Sequence, residues 1–441
     1  MRFTYLIVFL SAILFQSCQK DILTDQPSGN SFQFDLAAGT PIFDPANTRV
    51  LIVGVLTYQD AASLESFDPY HRKDVELAET LEAYGVPNEN IIGLYDEEAT
   101  RENIYKSLHK IAVNSNTETN FIFYFAGHGF NGWEEDVSSI YFANYDIKYI
   151  HPDKTGFNIN FLTDHFFPEF PGKSVLLMAD CCKSGGLVDI AEQFSTGGKQ
   201  GIGITSCFYS EWSTGNWTFT QKVIDAFKGD GLIDADKNGT ITLDETMQGV
   251  ERGLKFVDRQ KSSSAYYNCF GDAVVSSVTT TYPEIVDDTY EVGQYVFGKY
   301  KKNYCSVEIT GKTGTQIQAR YYNFADYITI NFNPADLKIP YFVHYTIGDD
   351  ILLDHFTDKP GYIMDEGNDF FELHSADGEQ ILWRTYEEII SGTEIPAMIK
   401  DATGAWVSGE ILDQTADKYF VNYTGKNYQW DEWVTPDRVD F

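Results

Sequence analysis

Continuous apolar runs alternate with helix-spaced segments over the first 280 residues. Arg49 to Tyr58 (RVLIVGVLTY) is apolar without alternation, the pattern of a strand buried on both faces. From Arg72 to Tyr84, Val75, Leu77, Ala78 and Leu81 recur at helical spacing, and Gly85 marks the stop. Asn90 to Tyr95 predicts a second strand. Thr100 to Val113 predicts a helix with Thr100 as N-cap and Ile104, Leu108 and Ile111 on one face. Phe121 to Ala126, Ser174 to Ala179 and Gly201 to Ser206 add three more strands. Strands alternating with helices imply a mostly parallel sheet with helices on both faces. A last helix is expected from Glu245 to Phe256, and Gly186 to Gly203 reads as a cleavable linker with Lys199 as a self-cutting site.

Beyond about residue 280 the texture changes. Tyr, Phe and Trp alternate with polar residues between Gly-containing turns, an all-β signal. Two segments are alike. One is NYCSVEI and QIQARYYNFADYITINFNPADL, from Asn303 to Leu337. The other is AWVSGEI and KYFVNYTGKNYQWDEWVTPDRV, from Ala405 to Val439. Gly361 to Ile389 reads as a degenerate third copy. Repeats of this size predict small barrels in series.

The N-terminus adds an address. Arg2, the apolar run Tyr5 to Phe15 and Ser17-Cys18 resemble a bacterial lipoprotein signal ending in a lipobox, which implies lipidation at Cys18 and export to the cell envelope, at the outer membrane or cell surface. Residues 19–47 are polar, contain Pro27, Pro41 and Pro45, and read as a tether. The expected domains are therefore 1–18 signal, 19–47 tether, 48–280 α/β domain, 288–340 barrel, 341–390 degenerate barrel and 391–441 barrel. The chain of 441 residues carries 65 acidic and 32 basic residues, a formal net charge of −33. Such a surface repels nucleic acid and anionic membrane. Membrane contact is expected through the N-terminal lipid only.

The chemistry lies at strand ends, where open parallel sheets bind ligands. FIFYFA runs into Gly127-His128-Gly129, and VLLMA runs into Asp180-Cys181-Cys182-Lys183-Ser184-Gly185-Gly186. A neutral thiol needs a base, and His titrates in the right range. Glycines beside His128 allow a tight turn with accessible N–H groups. None of His71, His109, His151, His165, His344, His355 and His374 follows a buried strand. No C-x-x-C pair exists among the six cysteines, which disfavours a zinc ribbon or a dithiol oxidoreductase.

YFAGHG and DCCKSGG closely resemble the metacaspase and caspase-like motifs Y-S-G-H-G and D-x-C-x-S-G. The resemblance extends over RVLIVGV, the helix bearing Asp74, NIIGLYDEEATRENI and ITSCFYSEWSTGNWTFTQKVIDAFKG. It implies an α/β caspase-haemoglobinase-like sandwich, a mostly parallel sheet with flanking helices, followed by all-β small barrels. It selects Cys182 as nucleophile, two residues after Asp180, and His128 as its base. The N–H groups of Gly129 and Cys182 are the implied oxyanion donors. Asp180 and Asp74 match the acidic positions with which metacaspases bind Arg or Lys before the cut. The expected activity is cysteine endopeptidase, with a protein or peptide substrate basic at that position and no cofactor for the chemistry. The alternatives are an envelope-binding or adhesion protein on an inert scaffold, and a peptidase cutting after Asp.

A second signal is local. Asp234 to Glu245 satisfies D-x-D-x-N-G-x5-E, placing oxygen ligands for Ca2+ at Asp234, Asp236, Asn238, Thr240 and Glu245. Its incoming helix is poorly defined after Gly229 and Gly231. At the C-terminus, YFVNYTGKNYQWDEWVTPDRV resembles the chromo-barrel and Tudor-knot family, which implies an aromatic cage at Trp406, Tyr423, Trp430 and Trp433.

Overall fold

The computed structural model describes residues 39–440, apart from 133–138, 149, 210–211, 259, 284–285, 287–288, 302, 324–325, 340–349, 354–360, 368–369, 376–380, 385–388, 391–394, 416–417, 427–429 and 431. The signal and Cys18 lie outside the described residues. Among the described residues no helix is long and apolar enough to cross a membrane.

The apolar runs pair into one six-stranded sheet. Its strands are β1 (Thr48–Gly54), β2 (Ile91–Tyr95), β3 (Asn120–Ala126), β7 (Ser174–Asp180), β8 (Gln200–Thr205) and β10 (Ser263–Tyr267), in the order β10-β8-β7-β3-β1-β2. All pairs are parallel except the edge pair of β10 with β8. A small sheet of β4 (Gly129–Asn131), β5 (Ile140–Phe142) and β6 (Phe157–Asn158) follows β3. A further pair joins β9 (Thr240–Thr242) to β11 (Val274–Ser277).

The two-residue period of a strand sorts the side chains into two cores. Leu51, Val53, Phe121, Phe123, Phe125, Val175 and Leu177 face one core. Val50, Ile52, Ile122, Tyr124, Leu176 and Met178 face the other. Each buried Phe or Leu contributes roughly 1.5–3 kcal/mol. The first face is covered by α2 (Arg101–Val113) and α5 (Gly186–Ser195), with short helices α3 (Pro152–Thr155) and α4 (Phe167–Glu169) nearby in the chain. The second is covered by α1 (Lys73–Ala83), α6 (Thr218–Lys228) and α7 (Leu243–Asp258). The Thr100 hydroxyl accepts from the Asn103 N–H at 3.2 Å, the expected cap of α2.

The expected linker after Gly186 is a correction. It is α5, with Leu187, Ile190, Ala191 and Phe194 buried at helical spacing. Glycines at both ends suggested a loop, yet the periodic apolar stripe between them prevails because it buries four side chains. Lys199 is tied down rather than offered for cleavage. Its amine donates to the Phe170 carbonyl at 3.0 Å and lies against the Phe170 and Phe194 rings.

Three antiparallel five-stranded sheets form the C-terminal third. The first has β12 (Tyr295–Tyr300), β13 (Asn303–Thr313), β14 (Gln316–Asn323), β15 (Asp326–Phe332) and β16 (Leu337–Lys338). Four strands meander, and the short fifth returns to pair with the first, which curls the sheet into a half-barrel. The sheets between Asp350 and Ile390 and between Ile395 and Asp440 repeat this order. Each carries an irregularity in its second strand, after Ile309, Ile363 and Ile411.

The first barrel grips α6 through buried charges. Lys222 of α6 donates to Glu308 of β13 at 3.1 Å, and Arg320 of β14 donates to the same carboxylate at 2.8 Å. Arg320 also pairs with Asp230, and the Tyr327 hydroxyl donates to Asp225 at 2.6 Å. Arg320, Lys222 and Arg252 beside Glu308 hold its carboxyl down to about 2, against the pull of burial. Removing one partner of a buried ion cluster costs about 3–5 kcal/mol, because the others lose their counter-charge. Glu308→Gln is therefore expected to destabilise the protein by about that amount in urea unfolding at pH 7. Glu308 contributes fully above its ordinary value of 4.5, and this is lost as pH falls towards 2. The gap between wild type and variant should close over that interval; a gap constant from neutrality to acid would contradict the clamp.

Candidate active site

The register of β3 with β7 builds the site. Ala126 pairs with Asp180 at the carboxyl ends of these neighbouring strands. His128 and Cys182 each lie two residues beyond that pair, so both loops emerge side by side. A Cβ at Gly129 would stand 1.9 Å from the Cys182 carbonyl oxygen and 3.2 Å from Cys181 Sγ. Only glycine lets the two turns approach this closely. Gly127 adopts φ +148°, a conformation that turns the chain out of β3.

His128 is held from three sides. Its backbone N–H donates to the Tyr58 hydroxyl at 3.0 Å, and its ring stacks on Tyr58 and lies 4.5 Å from the Phe67 ring centroid. Nε2 contacts the Glu65 carbonyl at 2.7 Å. A carbonyl only accepts, so the ring proton sits on Nε2 and Nδ1 is the bare acceptor. Burial among these rings pushes the imidazole below its ordinary 6.5. Neutral imidazole is the form at pH 7.

The two cysteines differ. Cys181 is 2% exposed and its thiol is pushed well up by burial. Its N–H donates to Ser206 Oγ at 3.2 Å, and it packs as a core residue. Cys182 is partly exposed, and its Sγ accepts from the Ser213 N–H at 3.3 Å. Burial raises this thiol too, opposed by the Ser213 N–H and by Lys183. A thiol that is neutral at pH 7 needs a base. Cys182 sits in a turn where Lys183 takes φ +64°. Among the described residues Cys181, Cys182, Cys207, Cys269 and Cys305 form no disulfide.

Gly129 stands in β4 with its N–H turned away from β5. Ala143 donates to the His128 carbonyl at 2.9 Å and Gly132 to Ser139 at 3.0 Å, so the even-numbered positions carry the ladder. The Gly129 N–H therefore points away from β5.

The two expected acidic residues have different fates. Asp180 accepts from the Thr220 hydroxyl at 2.7 Å, and burial lifts its carboxyl to about 7. Asp74 is fully buried under Gly54 and bound by Arg72 through Nη2 at 2.6 Å and Nε at 3.1 Å. Its charge is already met within the chain, because α1 starts beside an arginine whose second partner is Asp96. Asp258 was missed by sequence reasoning. It ends α7 as an ordinary polar helix residue, yet it is the next carboxylate acting on Asp180.

The acidic loop folds around three carboxylates. One oxygen each from Asp234, Asp236 and Glu245 lies within 4.8 Å of the others, a donor set that fits Ca2+. The Asn238 side-chain oxygen is turned to the Thr240 N–H at 2.8 Å. Lys237 and Gly239 take φ +59° and +89° in the turn. Ile241, at the position that pairs two EF-hand loops, pairs instead with Ser276 of β11. Helix α6 does precede the loop, ending in the Gly229 cap.

The C-terminal aromatics do not converge. Trp430 packs edge-on against Tyr304 of the first barrel at 5.3 Å, and the Tyr423 hydroxyl donates to Glu432 at 2.6 Å. Trp433 packs against Phe420 and Trp406 is exposed. Interior packing and a barrel contact take up Tyr423, Trp430 and Trp433, and Trp406 alone of the four is exposed.

The family described as Caspase domain matches residues 47–304. The family described as Tudor-knot, an RNA binding activity-knot of a chromodomain, matches residues 389–441. No curated protein matches the chain. Similar solved structures include a protein from Geobacter sulfurreducens, 13% identical over 50% of this chain and 92% of that one, with a TM-score of 0.33. Caspase-1 from Spodoptera frugiperda is 14% identical over 57% and 94%, with a TM-score of 0.37.

The contrast between the thiols gives a direct expectation. Iodoacetamide at pH 8 should label Cys182 well before Cys181 in the folded protein, read by peptide mass spectrometry. Equal labelling, or Cys181 first, would mean that the turn is arranged differently.

Proposed function

The chain belongs to the caspase-domain family, and from that premise we propose that it is a cysteine endopeptidase that cuts after arginine or lysine. The observation that carries this reading is the register that sets His128 and Cys182 two residues past a paired strand end, with Gly129 packed on Cys182.

Cys182 gives its thiol proton to His128 Nδ1, and the thiolate attacks the peptide carbonyl carbon. The N–H groups of Gly129 and Cys182 stabilise the oxyanion. Collapse breaks the C–N bond as the imidazolium protonates the leaving amine. Water then gives a proton to His128, attacks the thioester, and restores the thiol. The Glu65 carbonyl holds the imidazole in the tautomer this sequence of transfers needs. Asp180 attracts the basic side chain of the substrate by its charge.

Two accessory features complete the reading. Asp234, Asp236 and Glu245 hold Ca2+, which ties the start of α7 to the loop before it. Cys18 carries the envelope lipid. With a net charge of −33 on the chain and Trp430 packed on the first barrel, the C-terminal barrel serves protein contact rather than nucleic acid.

The test uses fluorogenic peptides ending in Arg, Lys or Asp. Cleavage after Arg and Lys is expected, with a loss of at least about thousandfold in Cys182→Ala and little change in Cys181→Ala. Turnover that survives Cys182→Ala, or that follows Asp alone, would overturn the proposal. In a separate measurement, Ca2+ should raise the thermal midpoint of the wild type but not of Glu245→Gln. An identical rise in both proteins counts against the calcium site.

A further inference from the structure

A buried amide ties the loop beside Cys182 to the rest of the domain. Gln260 lies between α7 and β10 and is 5% exposed. Its Oε1 accepts from the Thr214 N–H at 2.8 Å. Its Nε2 donates to the Ser206 carbonyl and, at 3.2 Å, to the Ser213 hydroxyl. Its own N–H donates to the Leu254 carbonyl of α7 at 3.3 Å. These partners fix which way the amide points, because a backbone N–H only donates and a carbonyl only accepts. Glutamine supplies both roles from one side chain. Methionine has the same reach and no N–H to give.

The segment so held carries the group that faces the thiol. The Ser213 N–H, one residue before Thr214, donates to Cys182 Sγ at 3.3 Å. The Ser213 hydroxyl bonds Ser206 Oγ at 3.0 Å, and Ser206 Oγ accepts from the Cys181 N–H at 3.2 Å. Gln260, Ser206 and Ser213 thus brace the turn that bears the two cysteines. An N–H donor gains most once its acceptor is charged, so its place at the sulfur matters most for the thiolate. Further along the same loop Asn216 donates to Asp258 of α7 at 2.7 Å, a tether that does not touch the donor at the sulfur.

We propose that Gln260 is a positioning residue for the nucleophile: it holds the Ser213 N–H against Cys182 Sγ, where that N–H stabilises the thiolate formed as the proton leaves for His128. The inference rests on the reading above, in which Cys182 attacks the substrate. The groups facing this thiol are Lys183, Asp180 and Cys181 on its own turn, Cys207 after β8 and Tyr58 after β1, with His128 on the adjoining loop. Gln260 is uncharged, so exchanging it for another neutral side chain alters none of their charges. What changes is whether the donor stays in place. Burial raises the Cys182 thiol and the Ser213 N–H lowers it, so two roles for the loop predict opposite signs. A loop that only covers the sulfur would, once loosened, admit water and lower the midpoint. A loop that presents a donor would, once loosened, raise it.

The experiment follows alkylation of Cys182 by iodoacetamide against pH, read by peptide mass spectrometry. The full chain is used as wild type, Gln260→Met, Gln260→Asn and Asn216→Ala, with folding checked by circular dichroism. In Gln260→Met the thiol midpoint should rise by about one pH unit. Alkylation at pH 8 should slow about threefold, since a more basic thiolate is also more nucleophilic. Asn216→Ala should keep the wild-type midpoint. On the Arg peptide, Gln260→Met should lower kcat about tenfold and leave KM within about twofold, because the donor acts on the reacting sulfur. A midpoint that stays or falls in Gln260→Met overturns the inference and leaves the peptidase reading standing. So does an equal rise in Asn216→Ala, since any slack in the loop then has the same effect, and so does a raised KM with kcat unchanged. If Gln260→Met does not fold, Gln260→Asn decides by the same outcomes, its amide being one methylene short of spanning both partners. The predicted rise in a protein that cleaves no basic peptide keeps Gln260 as the positioner of the thiol and overturns the peptidase reading.

Discussion

Everything chemical in this protein depends on the pairing of β3 with β7. Parallel strands hydrogen-bond in one register over seven residues, from Asn120 with Ser174 to Ala126 with Asp180. Because both strands are buried on both faces, a slip by one residue would invert every side chain between the two cores. Phe121, Phe123 and Phe125 would trade places with Ile122 and Tyr124, which the packing does not allow. The cores thus hold the register, and the register holds His128 beside Cys182. The glycines of the first loop then set the distance. Gly129 accepts the Cys182 carbonyl where any Cβ would stand.

Helix α6 carries a second dependence. Its first turn donates the Thr220 hydroxyl to Asp180, while Tyr124 of β3 shares that same hydroxyl at 2.6 Å. One turn later, Lys222 and Asp225 face the first barrel and join its charge cluster. The helix is packed between the sheet and the barrel, so a change in the cluster has a rigid path to Asp180. The first barrel is in this sense part of the wall of the caspase domain. The match to the caspase-domain family reaches residue 304, inside β13.

Burial shapes the electrostatics of the site in a consistent direction. It disfavours charge, so it lowers His128 and raises Asp180, Cys181 and Cys182. His128 and Cys182 are thereby left as neutral imidazole and neutral thiol, the state from which the proposed proton transfer would start. At Glu308 the same burial is outweighed by Arg320 and Lys222. At Asp225 burial prevails over the same two cations, so the balance differs from one acid of the cluster to the next.

Much of this was legible in the chain. Unbroken apolar runs placed β1, β3, β7 and β8, since only strands buried on both faces read that way, and Thr100 announced α2. The pairing of YFAGHG with DCCKSGG pointed to His128 and Cys182, and Asp180 to Ser184 distinguished Cys182 from Cys181. The gaps have physical causes. Helix α5 hid behind flanking glycines, because a turn and a capped helix share the same end signals. Asp74 and Arg72 lie two residues apart, yet whether a nearby cation pairs with a carboxylate depends on side-chain direction. Asp258 stands 76 residues after Cys182 in the chain, and no spacing rule links a helix end to a strand end so distant. Sequence by itself determined most strands of the sheet, helices α1, α2 and α7, the caspase-like motifs around His128 and Cys182, and an all-β texture beyond residue 280. Only the tertiary structure decided which carboxylates meet a cation, as Asp74 meets Arg72 and Glu308 meets Arg320 and Lys222, because that is a property of contacts made after the chain has packed.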